Sequence, residues 1–94
     1  MRTRARIDSN HVEIVRGLRQ CGYSVQSLAA LGHGVPDLLV GAHGANFLFE
    51  IKDGLRSPSR RKLTPDEKDW IVRWNGQVAV VGSVEEAILL LNIQ

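Results

Sequence analysis

Apolar residues at Ile14, Val15, Leu18 and Cys21 recur at spacings of three and four, the period of one helix face. With Asp8 or Ser9 as a cap before them and Gly22 as a stop after them, they predict a first helix. From Tyr23 to Leu28 apolar and polar residues alternate, as on a half-buried strand. Gly32-His33-Gly34-Val35-Pro36 then reads as a loop. Two further strands follow, Asp37 to Val40 and Asn46 to Lys52. Gly41, His43 and Gly44 between them tolerate the positive φ of a tight turn, so the pair is expected to be an antiparallel hairpin.

The stretch Arg56-Ser57-Pro58-Ser59-Arg60-Arg61-Lys62 has no apolar side chain to give to a core and is expected to be a loop. Thr64-Pro65-Asp66-Glu67 carries the signature of a capping box with Pro at the first helical position, which predicts a helix to about Asn75, closed by Gly76. Val78 to Val81 is a short buried strand. Ser83 to Glu86 repeats the capping-box pattern ahead of an apolar helix from Ala87 to Asn92. The expected order is α-β-β-β-α-β-α.

Ninety-four residues suit a single domain, 1–94, because separate cores appear only above about 250 residues. A domain this small leaves apolar surface poorly covered, which favours an oligomer. The composition, 44% hydrophobic and 23% charged, is that of an ordinary globular chain. Cys21 is the only cysteine, which excludes an internal disulfide and any multi-cysteine zinc site and favours a reducing, intracellular (cytoplasmic) setting. No apolar run approaches the ~20 residues of a membrane span, and the start of the chain lacks the apolar segment of a secretory signal. A soluble protein with no membrane partner is expected, and a domain of this size would suit a compact viral genome.

Net charge is only +2, but residues 1–62 hold ten Lys/Arg against five Asp/Glu, whereas residues 63–94 hold two against five. A basic part of this kind has a phosphate backbone as its natural partner.

On a strand, residues two apart share a face. Glu50 and Lys52 therefore lie with Leu48 on one side, and Phe47, Phe49 and Ile51 lie on the other as core. A tight turn at His43-Gly44 sets a register that places Asp37 directly across from Glu50, with Cβ atoms about 5 Å apart. Two facing carboxylates repel unless something binds both. A hard divalent cation does so, with water, a phosphate oxygen and the carbonyl of Ile51 completing its shell. With no Cys or His cluster to prefer a softer metal, Mg²⁺ or Mn²⁺ is expected. Lys52 would orient or deprotonate the attacking water and stabilise charge on a phosphorane-like transition state.

Pro36-Asp37, twelve residues, then Glu50-Ile51-Lys52 resembles the PD-(D/E)XK nuclease signature. The segments Gly32 to Val40, Phe49 to Gly54 and Leu63 to Trp70 are more narrowly similar to the VRR-NUC branch, and the resemblance extends from about Asp8 to Ala87. It implies an α/β, restriction-endonuclease-like αβββαβ core, with a mixed sheet flanked by helices and an extra C-terminal helix. It further implies Mg²⁺ or Mn²⁺ dependence and DNA as substrate. Stand-alone members are similar to dimeric Holliday-junction resolvases, so branched or four-way-junction DNA and a homodimer are expected. Carried over by position, Asp37 and Glu50 are metal ligands, Ile51 a carbonyl ligand and Lys52 the catalytic lysine.

Many members of the superfamily have an acid or amide on the first helix that reaches the metal or its waters. Here that position falls on His11, which lies near the centre of the inward face and is carried as a further candidate ligand. Glu13 lies roughly 140° away; Asp8 and Glu13 remain as acids that could reach the metal's waters. Arg56, Arg60, Arg61 and Lys62 are expected to grip the DNA backbone beside the scissile bond. Gly34 and His33 are either an ordinary turn or a place where phosphate approaches backbone N–H groups. Arg2, Arg4 and Arg6 are either DNA contacts or a tail. Glu67 is simplest as a cap, although its helix face could also look toward the site. Trp70 and Trp74 favour core or dimer-interface packing over base stacking, and Cys21 favours inert packing. The expected activity is a metal-dependent, structure-selective DNA endonuclease. The alternative is a non-catalytic DNA-binding or assembly module of the same fold, against which the intact Asp37, Glu50 and Lys52 argue.

Overall fold

The computed structural model describes residues 10–93, through α1 (His11–Gln20), β1 (Ser24–Ser27), β2 (Leu38–Ala42), β3 (Ala45–Ile51), α2 (Pro65–Arg73), β4 (Val78–Val81) and α3 (Val84–Asn92). Short 3-10 turns occur at Ala29–Leu31 and Pro58–Arg60. The order of helices and strands is the one expected from the pattern. Arg2, Arg4, Arg6, Asp8 and Ser9 lie outside the described residues, so the expectations placed on them do too.

Among the described residues four strands form one mixed sheet in the order β1-β2-β3-β4; the first two pairings are antiparallel and β3-β4 is parallel. The result is an α/β architecture with helices on the sheet's faces. His43 and Gly44 turn the β2-β3 hairpin with φ of 54° and 77°, the left-handed pair that matches the strands' own twist. This turn pairs Leu38 with Phe49 and Val40 with Phe47. A register slip of one residue would send every one of those side chains to the wrong face.

The sheet is unequal in its two faces. Leu38, Val40, Phe47, Phe49, Ile51 and Val81 pack with Ile14 and Leu18 of α1 and Ala87 and Leu91 of α3 into one core. Side chains of this kind contribute roughly 1.5–3 kcal/mol each when fully buried, so this face carries most of the stability. The opposite face bears Leu39, Leu48 and Glu50. It is covered more thinly by α2, whose Trp70 and Ile71 are only half-buried. No helix among the described residues is long and apolar enough to cross a membrane.

Local chemistry departs from the sequence expectations in a few places. Helix α2 ends at Arg73, two residues short of Asn75. Cys21 is exposed at the end of α1 rather than packed, because the inward face of α1 is already filled by His11, Ile14 and Leu18. At α3, Ser83 Oγ accepts the expected bond from Glu86 N at 3.1 Å. The Glu86 carboxylate does not close a box but accepts from Gly82 N at 2.7 Å and from Arg61.

Arg61 is the largest correction to the basic loop. Its side chain is only 5% exposed. Nη1 and Nη2 donate to the two Glu86 oxygens at 2.7 and 2.8 Å, and Nε donates to the Arg56 carbonyl at 2.9 Å. Arg61 is therefore turned into the fold, away from the DNA contact expected of it. Removing the guanidinium leaves Glu86 without its ion-pair partner, but Glu86 keeps its bond from Gly82 N and, at 39% exposed, can rehydrate. Arg61→Ala is expected to destabilise the protein by about 1–3 kcal/mol in urea unfolding, below the penalty for a fully buried pair. Arg61→Lys is expected to recover little of this, because an ammonium cannot span both carboxylate oxygens.

Candidate active site

Asp37 precedes β2, one step beyond the Leu38-Phe49 pair, and so stands beside the end of β3. The approach to it is tightly built. Gly34 has φ of 83°, and a Cβ there would run into the Asp66 backbone at the start of α2. This close approach presses the loop against the helix, and Gly34 is needed for it. The Asp37 carbonyl accepts from Leu28 N at 2.7 Å, and its Oδ2 accepts from Ile51 N at 2.8 Å. The carboxylate is thereby fixed against β3.

Glu50 points away from the hydrophobic core into the same region and is 2% exposed. Its Oε1 is buried with no hydrogen-bond partner among the described residues. Burial, followed by the nearby carboxyls of Asp37 and Glu67, pushes its pKa up to about 10. The burial is polar in kind. Asp37, Glu50, Lys52 and Glu67 line one cavity of about 320 Å³, together with His33, Gly34 and Thr64.

Lys52 follows β3 directly, and its N–H donates to the Val81 carbonyl at 2.9 Å. Its Nζ lies 2.7 Å from Glu67 Oε1 and 3.8 Å from Glu50 Oε2. Glu67 resolves the two readings of its position by serving both. Its Oε1 accepts from Thr64 N at 2.8 Å in the capping box and from Lys52 Nζ. Burial works to raise the Glu67 pKa, but the hydrogen bonds from Lys52 and the Thr64 backbone outweigh it, and the group stays below its ordinary value. Glu67 is the site residue least visible in the sequence, where its capping role gave a sufficient explanation.

A second such residue is Asn10. Its Nδ2 donates to the carbonyls of Lys52 at 2.9 Å and Gly82 at 2.8 Å, tying the start of α1 to the ends of β3 and β4. His11 is buried as expected, but it does not line the cavity of Asp37, Glu50 and Lys52. It faces a separate groove with Arg16, Arg19 and Ser27, and its Nδ1 has no partner among the described residues. The first-helix side chain that reaches the site's backbone is thus Asn10. The available signal was an amide one position before His11, where the resemblance places the candidate ligand. Glu13 is exposed.

The donor set fits a hard cation. Glu50 Oε1 is an orphaned carboxylate oxygen, the Asp37 carboxyl acts on it directly, and a cation between them would replace the proton that burial otherwise retains. Among the described residues no group of three or more His, Cys, Asp or Glu side chains is arranged to hold a metal ion, so the protein would supply two carboxylates and leave other positions to backbone, water or substrate. Arg60 and Lys62 are exposed, and Arg56 forms an open pair with Asp53 at 3.5 Å. Trp70 and Trp74 stack on each other with centroids 4.6 Å apart.

Without metal, the raised Glu50 pKa makes the fold keep a proton that the unfolded chain releases near pH 4.5. Stability from this group is therefore complete at acid pH and falls as pH rises toward about 10. Glu50→Gln, which keeps the shape without the charge, is expected to raise the melting temperature of metal-free protein, by an increment that grows between pH 5 and pH 9. A calorimetric series showing a flat or shrinking increment would contradict this.

Compared with known proteins, the chain matches no family model, no curated protein and no solved structure.

Proposed function

We propose that the protein is a metal-dependent deoxyribonuclease of the PD-(D/E)XK type, nearest in its motifs to the VRR-NUC branch, with a restriction-endonuclease-like αβββαβ core followed by the extra helix α3. The observation that carries this reading is the buried Glu50 carboxyl beside Asp37, whose Oε1 has no hydrogen-bond partner among the described residues while its Oε2 lies 3.8 Å from the Lys52 ammonium. A purely structural role for Glu50 is a poor alternative. A buried carboxyl that leaves one oxygen without a hydrogen-bond partner and resists ionisation destabilises a fold, and a neutral residue would serve there better.

Asp37, Glu50 and the carbonyl of Ile51 would hold Mg²⁺ or Mn²⁺, which when bound supplies Lewis acidity to the phosphate and lowers the pKa of water. Asp37 lines the cavity and keeps one oxygen on Ile51 N, which restrains its carboxylate there. Lys52 is aimed by Glu67. Its ammonium orients the attacking water and stabilises the negative charge that builds on the phosphoryl oxygens. His33 and Gly34 also line the cavity, and in this reading their backbone N–H groups meet phosphate oxygens. The outward cations Arg56, Arg60 and Lys62 hold the flanking backbone. Branched or four-way-junction DNA is the preferred substrate and a homodimer the working form, since two-fold symmetry in the substrate suits two sites related by the same axis.

Purified protein with Mg²⁺ or Mn²⁺ is expected to cut at least one of single-stranded, duplex, flap and four-way-junction DNA. Lys52→Ala and Asp37→Asn are each expected to lower the rate by roughly 10²–10⁴-fold while DNA affinity, measured by anisotropy, is retained. Cutting that survives both substitutions would remove the assignment. Independently of cutting, Mn²⁺ at a hundredfold excess over its Kd should stabilise the fold by about 2.7 kcal/mol, and Asp37→Asn with Glu50→Gln should abolish that gain.

A further inference from the structure

Leu55 is 98% exposed and sits three residues beyond Lys52. A lone exposed leucine needs no explanation in itself. This one is held out by a turn that is braced on several sides. Leu55 N donates to Asp53 Oδ1 at 2.9 Å and Arg56 N to the Asp53 carbonyl at 3.2 Å. Gly54 lies so close to Gly82 that a Cβ on either would strike the other's backbone. On the far side Arg61 donates to the Arg56 carbonyl, while Glu86 grips both Arg61 and Gly82 N. The turn is thus fastened to the junction of β4 and α3, and its apolar tip is the part left in water.

The surroundings of the tip indicate what it meets. Arg56, Arg60 and Lys62 are exposed on the same loop, a set that favours a polyanion over an apolar protein surface. In DNA, the extended apolar surface open to a leucine is the base face at an unstacked step, where apolar side chains enter; the thymine methyls of the major groove offer less. At ~3.3–3.6 Å per residue the tip lies within about 11 Å of Lys52 along the chain, a span of about three base steps.

Resting on the deoxyribonuclease reading, we propose that Leu55 is a wedge that enters an unstacked base step beside the scissile phosphate, so that selectivity for branched DNA resides in this turn rather than in the catalytic cavity.

The test places 2-aminopurine at the branch of a four-way junction and reads its fluorescence as Lys52→Ala protein is added. Binding is expected to raise the signal severalfold. Adding Leu55→Ala should remove at least half of that rise, and Leu55→Phe should keep it. In protein with Lys52 intact, Leu55→Ala should slow junction cleavage about tenfold while the melting temperature stays unchanged. If the junction is cut and Leu55→Ala alters neither signal nor rate, the wedge is overturned and the nuclease reading stands. If no DNA is cut while a Leu55-dependent rise is seen, the nuclease reading fails and with it the place of the wedge beside a scissile phosphate, and what stands is insertion of Leu55 at the branch. Failure to bind DNA overturns both. If Leu55→Ala changes the sedimentation of the free protein and not the fluorescence, the tip is a subunit contact and the proposal is wrong.

Discussion

Glu50 lies inside the fold with the carboxyls of Asp37 and Glu67 and the ammonium of Lys52 around it, and much of the local structure serves to hold these charges together. Like charges at this range repel strongly in a poorly solvated setting. The arrangement persists because Asp37 and Glu67 have compensating partners and Glu50 retains a proton. Asp37 is held by Ile51 N, and Glu67 is held by Thr64 N and Lys52. Glu50 Oε2 lies 3.8 Å from the Lys52 ammonium, but its Oε1 is buried without a hydrogen-bond partner among the described residues, and the imbalance is concentrated on that atom.

The unequal sheet explains how so small a chain sustains this. The face toward α1 and α3 is filled by large apolar side chains and supplies the stability, leaving the face under α2 free for polar groups that a core would not accept. The β2-β3 turn connects the two. By setting the register that sends Phe47, Phe49 and Ile51 into the core, it also sends Glu50 to the opposite face and brings Asp37 alongside it. Stability and site geometry come from one backbone alignment, so a change that slips the register would lose both.

Beyond β3, the chain is anchored as carefully as the site. Asn10 bonds the carbonyls of Lys52 and Gly82, and the Arg61-Glu86 pair fastens the following loop to the start of α3. Residues remote in sequence therefore limit where Lys52 and the turn after it can move. The basic loop divides into an inward strut, Arg61, and outward cations, Arg56, Arg60 and Lys62.

Hydrophobic period, turn chemistry and capping were enough to determine the order of elements, the β2-β3 register and the sharing of one face by Glu50 and Lys52, because these depend on local backbone geometry and on residues close together in the chain. What depended on side chains from separate elements was decided only in three dimensions. Glu67 has a complete local explanation as a cap, and only the packing of α2 over the sheet reveals that the same oxygen meets Lys52. Arg61 looks like its neighbours until α3 brings Glu86 to it. Asn10 carries no expectation beside Asp8 and Ser9 as caps, yet it precedes α1 and its amide goes to carbonyls just past two strands, 42 and 72 residues away. Charged and amide groups at the end of long or turning side chains choose the nearest partner in space, and periodicity along a chain carries no record of that choice.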